Sequence, residues 1–231
     1  MTDERLRQAQ HDARQEAAPF VGLAALACVA LAAASAKLNW RLYSENDWWV
    51  WLVLATPAAV LCVVFLLGFD RLGMRSGPRR QATVALLALL ATANVVGVAL
   101  VLGSLLGGHT AISGAQLLAT AAVVLFVNVI TFGLVFWEID CGGPIRRALS
   151  SDGRPTPDFQ FPQDENPHLA PIGWAPALND YLYIALTNSI AFSPTDAMPL
   201  SHRAKMVMGA ESVIAAVTVL TVAARAVNIL R

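Results

Sequence analysis

Charge is sparse in this chain and of neither sign in excess: 16 Lys and Arg balance 16 Asp and Glu, charged residues make up 14% of the 231, and the formal net charge is zero. Without a basic excess, or a basic face interleaved with aromatics, it lacks what polynucleotide binding requires, so nucleic acid is not an expected partner. Cysteine is scarcer still, at three residues. Cys28 and Cys62 fall within apolar runs, where cysteine behaves as a small apolar residue, and Cys141 stands alone in a polar stretch. Three such residues spell neither a disulfide framework nor a CxxC metal site. The four histidines, His11, His109, His168 and His202, are scattered through the tail and loops without paired spacing, which favours surface roles. No phosphate loop, no nucleophile paired with a base and no metal cluster appears, so an enzyme is not expected and no cofactor is implied.

What the chain has is apolar residues, 56% of the total and arranged in long blocks. A bilayer core of about 30 Å takes about 20 apolar residues per helix. Five blocks meet or approach that length: Pro19 to Ala36, Trp48 to Phe69, Ala82 to Gly107, Ala115 to Trp137 and Ala204 to Leu230. The expected fold class is therefore all-α, a polytopic integral membrane protein with five transmembrane helices. The first block is the shortest. Its Ala34-Ser35-Ala36 could be read as a signal-peptidase site, but the preceding region carries Asp3, Glu4, Asp12 and Glu16 and is unlike a compact basic leader.

Three regions follow. Residues 1–18 read as a polar N-terminal tail or a short surface helix, expected to be mobile. Residues 19–114 hold three transmembrane helices. Trp40, Tyr43, Trp48, Trp49 and Trp51 form an interfacial aromatic belt, and the link from Asp70 to Gln81 carries Arg71, Arg75, Arg79 and Arg80. Residues 115–231 hold the fourth helix, a loop over 138–179, a short helix and turn over 180–199, and the fifth helix. Prolines 144, 155, 157, 162, 167, 171 and 176 forbid a continuous helix in the loop. Phe159, Phe161 and Trp174 make it too aromatic for a free linker, and it reads as a cap folded on the segment that follows. Asp152, Asp158, Asp164, Glu165 and His168 match no metal-ligand spacing.

The segment from Asp180 to Arg225 has the order of parts of an ion-channel pore: short apolar helix, tight polar turn, membrane-length helix. With Asp196 aligned on the aspartate of the potassium-channel motif TVGYGD, the segment resembles a channel pore with a rewritten filter. Ala191, Phe192, Ser193, Pro194 and Thr195 then stand where the filter residues would be. Pro199, Lys205 and Glu211 keep the frame downstream. Ser193 and Thr195 replace the two glycines that let successive carbonyls point inward, and Pro194 replaces the tyrosine, so potassium selectivity does not carry over. The resemblance implies a re-entrant loop lined by Ser193, Thr195 and Asp196, with Thr187 and Asn188 bracing the pore helix and four copies closing a pore for monovalent ions. The plainer reading of Ser-Pro-Thr-Asp is a turn before a helix start. The chain also resembles a family of uncharacterised bacterial multi-span membrane proteins through FWEIDCGGP (Phe136 to Pro144), FPQ, DYLY and AFSPTDAMPLS. That likeness implies a bacterial inner-membrane protein and brings no known activity with it.

Glu211 is the acid deepest in an apolar block; with Thr218 and Arg225 it marks one polar face of the last helix. The alternative is that Glu211 and Arg225 snorkel to the two interfaces. Asn128, Thr131, Val135 and Glu138 share a face of the fourth helix and suit hydrogen bonding between helices, and Glu138 or Asp140 suits a pairing with Arg146 or Arg147. Charge asymmetry of the loops favours a cytoplasmic N-terminus, which places the pore-like turn on the cytoplasmic side, opposite to potassium channels. Two functions fit: a channel-like module permeated by ions, or a non-conducting scaffold or accessory subunit that keeps the fold.

Overall fold

The computed structural model describes residues 2–38, 59, 81, 85, 88–93, 95–99, 103, 114–150, 156–193 and 196–229. The protein is mostly helical. Among the described residues, three helices are long and apolar enough to cross a membrane: Glu4–Lys37, Ala115–Leu149 and His202–Thr221. The expected spans at 48–69 and 82–107 lie largely outside the described residues, although 88–93 and 95–99 are helical.

The first helix, α1 (Thr2–Lys37), corrects the expectation of a separate mobile tail, because it runs unbroken through the polar stretch and Pro19 into the apolar block. Ala9, Ala13 and Ala17 recur every four residues and are buried, so one face of the polar stretch is packed. At 1.5 Å per residue, its 36 residues extend about 54 Å, well beyond a bilayer core.

The chain divides into two compact units, Met1–Pro19 with Val129–Ser212, and Phe20–Asn128 with Val213–Arg231. The first contains the loop and the short helix. Helix α2 (Gly114–Ile139) ends in a 3-10 turn, Asp140–Gly142. The reason is local: Cys141 (φ 55°), Gly142 (φ 81°) and Gly143 (φ 101°) take left-handed conformations that stop a helix and that glycine adopts without strain. Pro144 then opens α3 (Pro144–Leu149), its fixed φ suiting the first helical position. Beyond it lie β1 (Phe159–Gln160), α4 (Pro162–Glu165) and a 3-10 turn at Pro167–Leu169. As the prolines require, no long helix forms among the described residues of this loop.

Helix α5 (Leu178–Ala191) follows, then β2 (Met198–Pro199) and α6 (His202–Ile229). Strands β1 and β2 pair antiparallel, Phe159 opposite Pro199 and Gln160 opposite Met198, which fastens the return from α5 to the loop. This two-strand ribbon is the departure from an all-α fold. Aromatic rings bind the same region together: Phe136 meets Phe159 (5.3 Å between centroids), Phe159 meets Tyr181 (6.2 Å), and Phe161 packs edge-on against Tyr181 (5.4 Å) and Trp174 (5.8 Å). The aromatics that make the loop unsuitable as a linker are thus its core contacts.

Candidate functional site

The chemistry of the first unit is arranged at two levels along α5 and α6. The outer level centres on Asp140, whose residue is fully buried at the end of α2. Oδ1 accepts the backbone N–H groups of Asp158 (2.8 Å) and Phe159 (3.1 Å), and Oδ2 accepts the Tyr181 hydroxyl (2.6 Å). Arg147 approaches Oδ2 to 3.9 Å and donates to the carbonyls of Trp137 (2.9 Å) and Asp140 (2.8 Å). Its guanidinium also lies 5.3 Å from the Tyr181 ring centroid. The Asp140–Arg147 pairing is one that the sequence suggests, whereas the roles of Tyr181, Asp158 and Arg203 are not legible in it. Asp158 pairs with Arg203 at the start of α6, whose Nε donates at 2.6 Å. Burial raises the Asp158 pKa, but hydrogen bonds from Arg203 and Ser201, the Arg203 charge and the Cys141 backbone outweigh it and leave it lowered.

Two carboxylates fix the start of α5. Asp180 accepts the N–H of Ala177 (2.8 Å), and Glu16 of α1 accepts the N–H of Leu178 (2.5 Å). Both satisfy donors that a helix N-terminus leaves open, and negative charge suits the helix dipole there.

The inner level centres on Glu211. Its residue is fully buried, so it does not snorkel. Oε2 accepts from Asn188 Nδ2 (2.6 Å) and Oε1 accepts from Ser189 Oγ (3.1 Å). Asn188 also donates to the Met208 carbonyl (3.0 Å) and accepts from Ser212 Oγ (3.1 Å). Asn188 therefore ties α5 to α6. Thr187 does not reach across: its hydroxyl returns to the carbonyls of Tyr183 (3.0 Å) and Ile184 (3.1 Å) in its own helix. Ser189 is missed by sequence reasoning, although its place beside Asn188 in a polar pair within an apolar helix is a visible signal.

From Tyr181 to Asn188, α5 advances seven residues, about 10 Å; from Arg203 to Met208 and Glu211, α6 advances a comparable distance. The two helices therefore run side by side in the same direction. Ala191 lies about 15 Å along α5 from Tyr181, while β2 is back beside the loop. Seven residue steps reach up to about 25 Å when extended, so residues 192–197 suffice for the return.

Of the filter-like residues, Ala191, Phe192, Ser193 and Asp196 are exposed, and Phe192 ends α5 in the left-handed region (φ 54°, ψ 24°). Pro194 and Thr195 lie outside the described residues. Thr218 is buried, with its hydroxyl donating to the Ile214 carbonyl (2.8 Å) of its own helix. Arg225 belongs to α6, but its side chain lies outside the described residues. Asn128, Thr131 and Glu138 are buried, and the Thr131 hydroxyl has no hydrogen-bond partner. Among the described residues no group of three or more His, Cys, Asp or Glu could hold a metal ion. Comparisons with protein-family models, with curated proteins and with solved structures find no match for this chain.

Proposed function

We propose that this chain is a five-span bacterial inner-membrane protein in which α5 and residues 192–201 form a re-entrant, channel-like module, permeated by ions without potassium selectivity. The observation that carries this reading is the out-and-back path of the segment. Helix α5 has 14 residues, about 21 Å, too short to cross a bilayer core. It runs beside a membrane-length helix, and the chain then returns to the level at which it started. Irregular backbone at membrane depth is tolerated where it is buried in protein or lines a wet cavity. The exposed face of α5 carries Tyr183, Leu186 and Ile190, a surface suited to lipid or a neighbouring copy, while Asn188 and Ser189 face α6. Ser193, Thr195 and Asp196 are the polar groups proposed to line the constriction, in a homo-oligomer of four.

The second reading is a non-conducting scaffold or accessory subunit. The clamp at Glu211 favours it, because Asn188 and Ser189 turn their polar atoms to Glu211 and Ser212 turns its hydroxyl to Asn188. Ion flux into liposomes holding the purified oligomer separates the two. The channel reading predicts flux under sodium, potassium or chloride gradients that changes in Asp196→Asn, whereas a silent, correctly assembled protein supports the scaffold.

A further inference from the structure

We infer that Glu211 is a proton-binding site within the membrane, its carboxyl held as the neutral acid by α5. The inference rests on the reading that α6 crosses the bilayer, and it goes beyond permeation by naming the ligand of the buried clamp. Glu211 is the tenth residue of α6 and is fully buried. A carboxylate taken out of water needs a compensating cation or a proton. The partners of Glu211 here, the Asn188 amide and the Ser189 hydroxyl, are both neutral.

The donor set also discriminates between proton and metal. Ser212 Oγ donates to Asn188 Oδ1, which turns the amide so that its NH₂ group meets the Met208 carbonyl and Glu211 Oε2. One carboxyl oxygen is thus covered by a fixed N–H donor. Among the described residues the clamp then offers a cation at most Oε1 and Ser189 Oγ, too few oxygens for a hard cation, which takes about six. A proton needs just one acceptor. A hydroxyl can donate or accept, so Ser189 accommodates the acid form by rotating its own hydrogen and accepting O–H from Oε1. In that form every polar atom of the clamp keeps a partner and no net charge is buried.

The test is infrared spectroscopy of the full-length protein in lipid bilayers at neutral pH. The expected result is a carbonyl stretch of a protonated carboxylic acid that disappears in Glu211→Gln and shifts in Ser189→Ala, which removes the acceptor. Glu211→Gln is a neutral mimic of the acid and is expected to remain folded. Should that variant fail to assemble, the Ser189→Ala shift carries the test. A spectrum without such a band, or a band indifferent to both substitutions, overturns the inference. Because the band reports occupancy rather than transport, a protein that conducts nothing can still show it. Failure of the permeation reading and failure of the proton site are therefore read separately.

Discussion

Asn188 Nδ2 lies 2.6 Å from Glu211 Oε2, joining a helix too short to cross a bilayer to one long enough to do so. The bond ties the last turn of the short helix to the third turn of the long one. Removing the amide leaves Oε2 without its donor and the Met208 carbonyl without its second partner. Asn188→Ala is expected to cost about 1–2 kcal/mol, the range for hydrogen bonds between membrane helices. Thermal unfolding in lipid or detergent measures it. A double-mutant cycle with Glu211→Ala, which removes the acceptor, should show coupling; strict additivity would mean that the two side chains act independently.

Close approach of α2 and α5 depends on Gly133. A Cβ there would lie 2.6 Å from Leu182 Cδ2 and 3.1 Å from Leu182 Cα. Gly133→Val should therefore lower stability by about 1–3 kcal/mol through overpacking. Leu182→Ala should recover part of the loss but not all, since the clash with the Leu182 backbone remains. Melting temperatures of the two single variants and the double variant decide this.

How much of this was legible in the sequence differs from element to element. The apolar blocks announce α1, α2 and α6 because about 20 consecutive apolar residues have few fates other than a membrane. The prolines announce the broken loop. The extension of α1 back to Thr2 is not legible, because it depends on burial of Ala9, Ala13 and Ala17 and on Glu16 meeting Leu178, a contact 162 residues away. The same limit applies at the site. Glu211 stands out as a lone acid in an apolar run, but its partners come from another helix. Asp140 and Tyr181 sit in recognisable phrases, yet their 2.6 Å hydrogen bond spans 41 residues of sequence. Long-range polar pairing has no period to read.

Acid should weaken the attachment of the loop to α6. The folded pKa of Asp158 is lowered, so the carboxylate contributes stability above the ordinary aspartate range, about pH 4, and loses it as pH falls through the folded value. Asp158→Asn should be less stable than the parent at neutral pH, and the difference should shrink toward acid. Melting curves at a series of pH values check the sign; a gap that widens in acid would contradict it.

The turn after α2 should resist side chains. Gly143 has φ 101° and ψ 165°, and an added Cβ would lie 3.2 Å from Glu138 Oε1 and 3.3 Å from the Glu138 carbonyl. Gly143→Ala is expected to cost about 1–3 kcal/mol from backbone strain. Because the same turn positions Asp140, the loss should appear as a drop in melting temperature, and an unchanged melting temperature would contradict it.

The central claim is that α5 dips into the bilayer and returns, and the most direct measurement is the depth of two spin labels. Ile190 near the end of α5 and Leu169 in the loop are similarly exposed, 70% and 76%, so any difference between them reports environment rather than packing. With Ile190→Cys and Leu169→Cys labelled separately in bilayers, the account predicts that the Ile190 label is relaxed by oxygen and shielded from a water-soluble nickel complex, while the Leu169 label shows the reverse. Equal access of the nickel complex to both labels would place α5 outside the membrane and contradict the account.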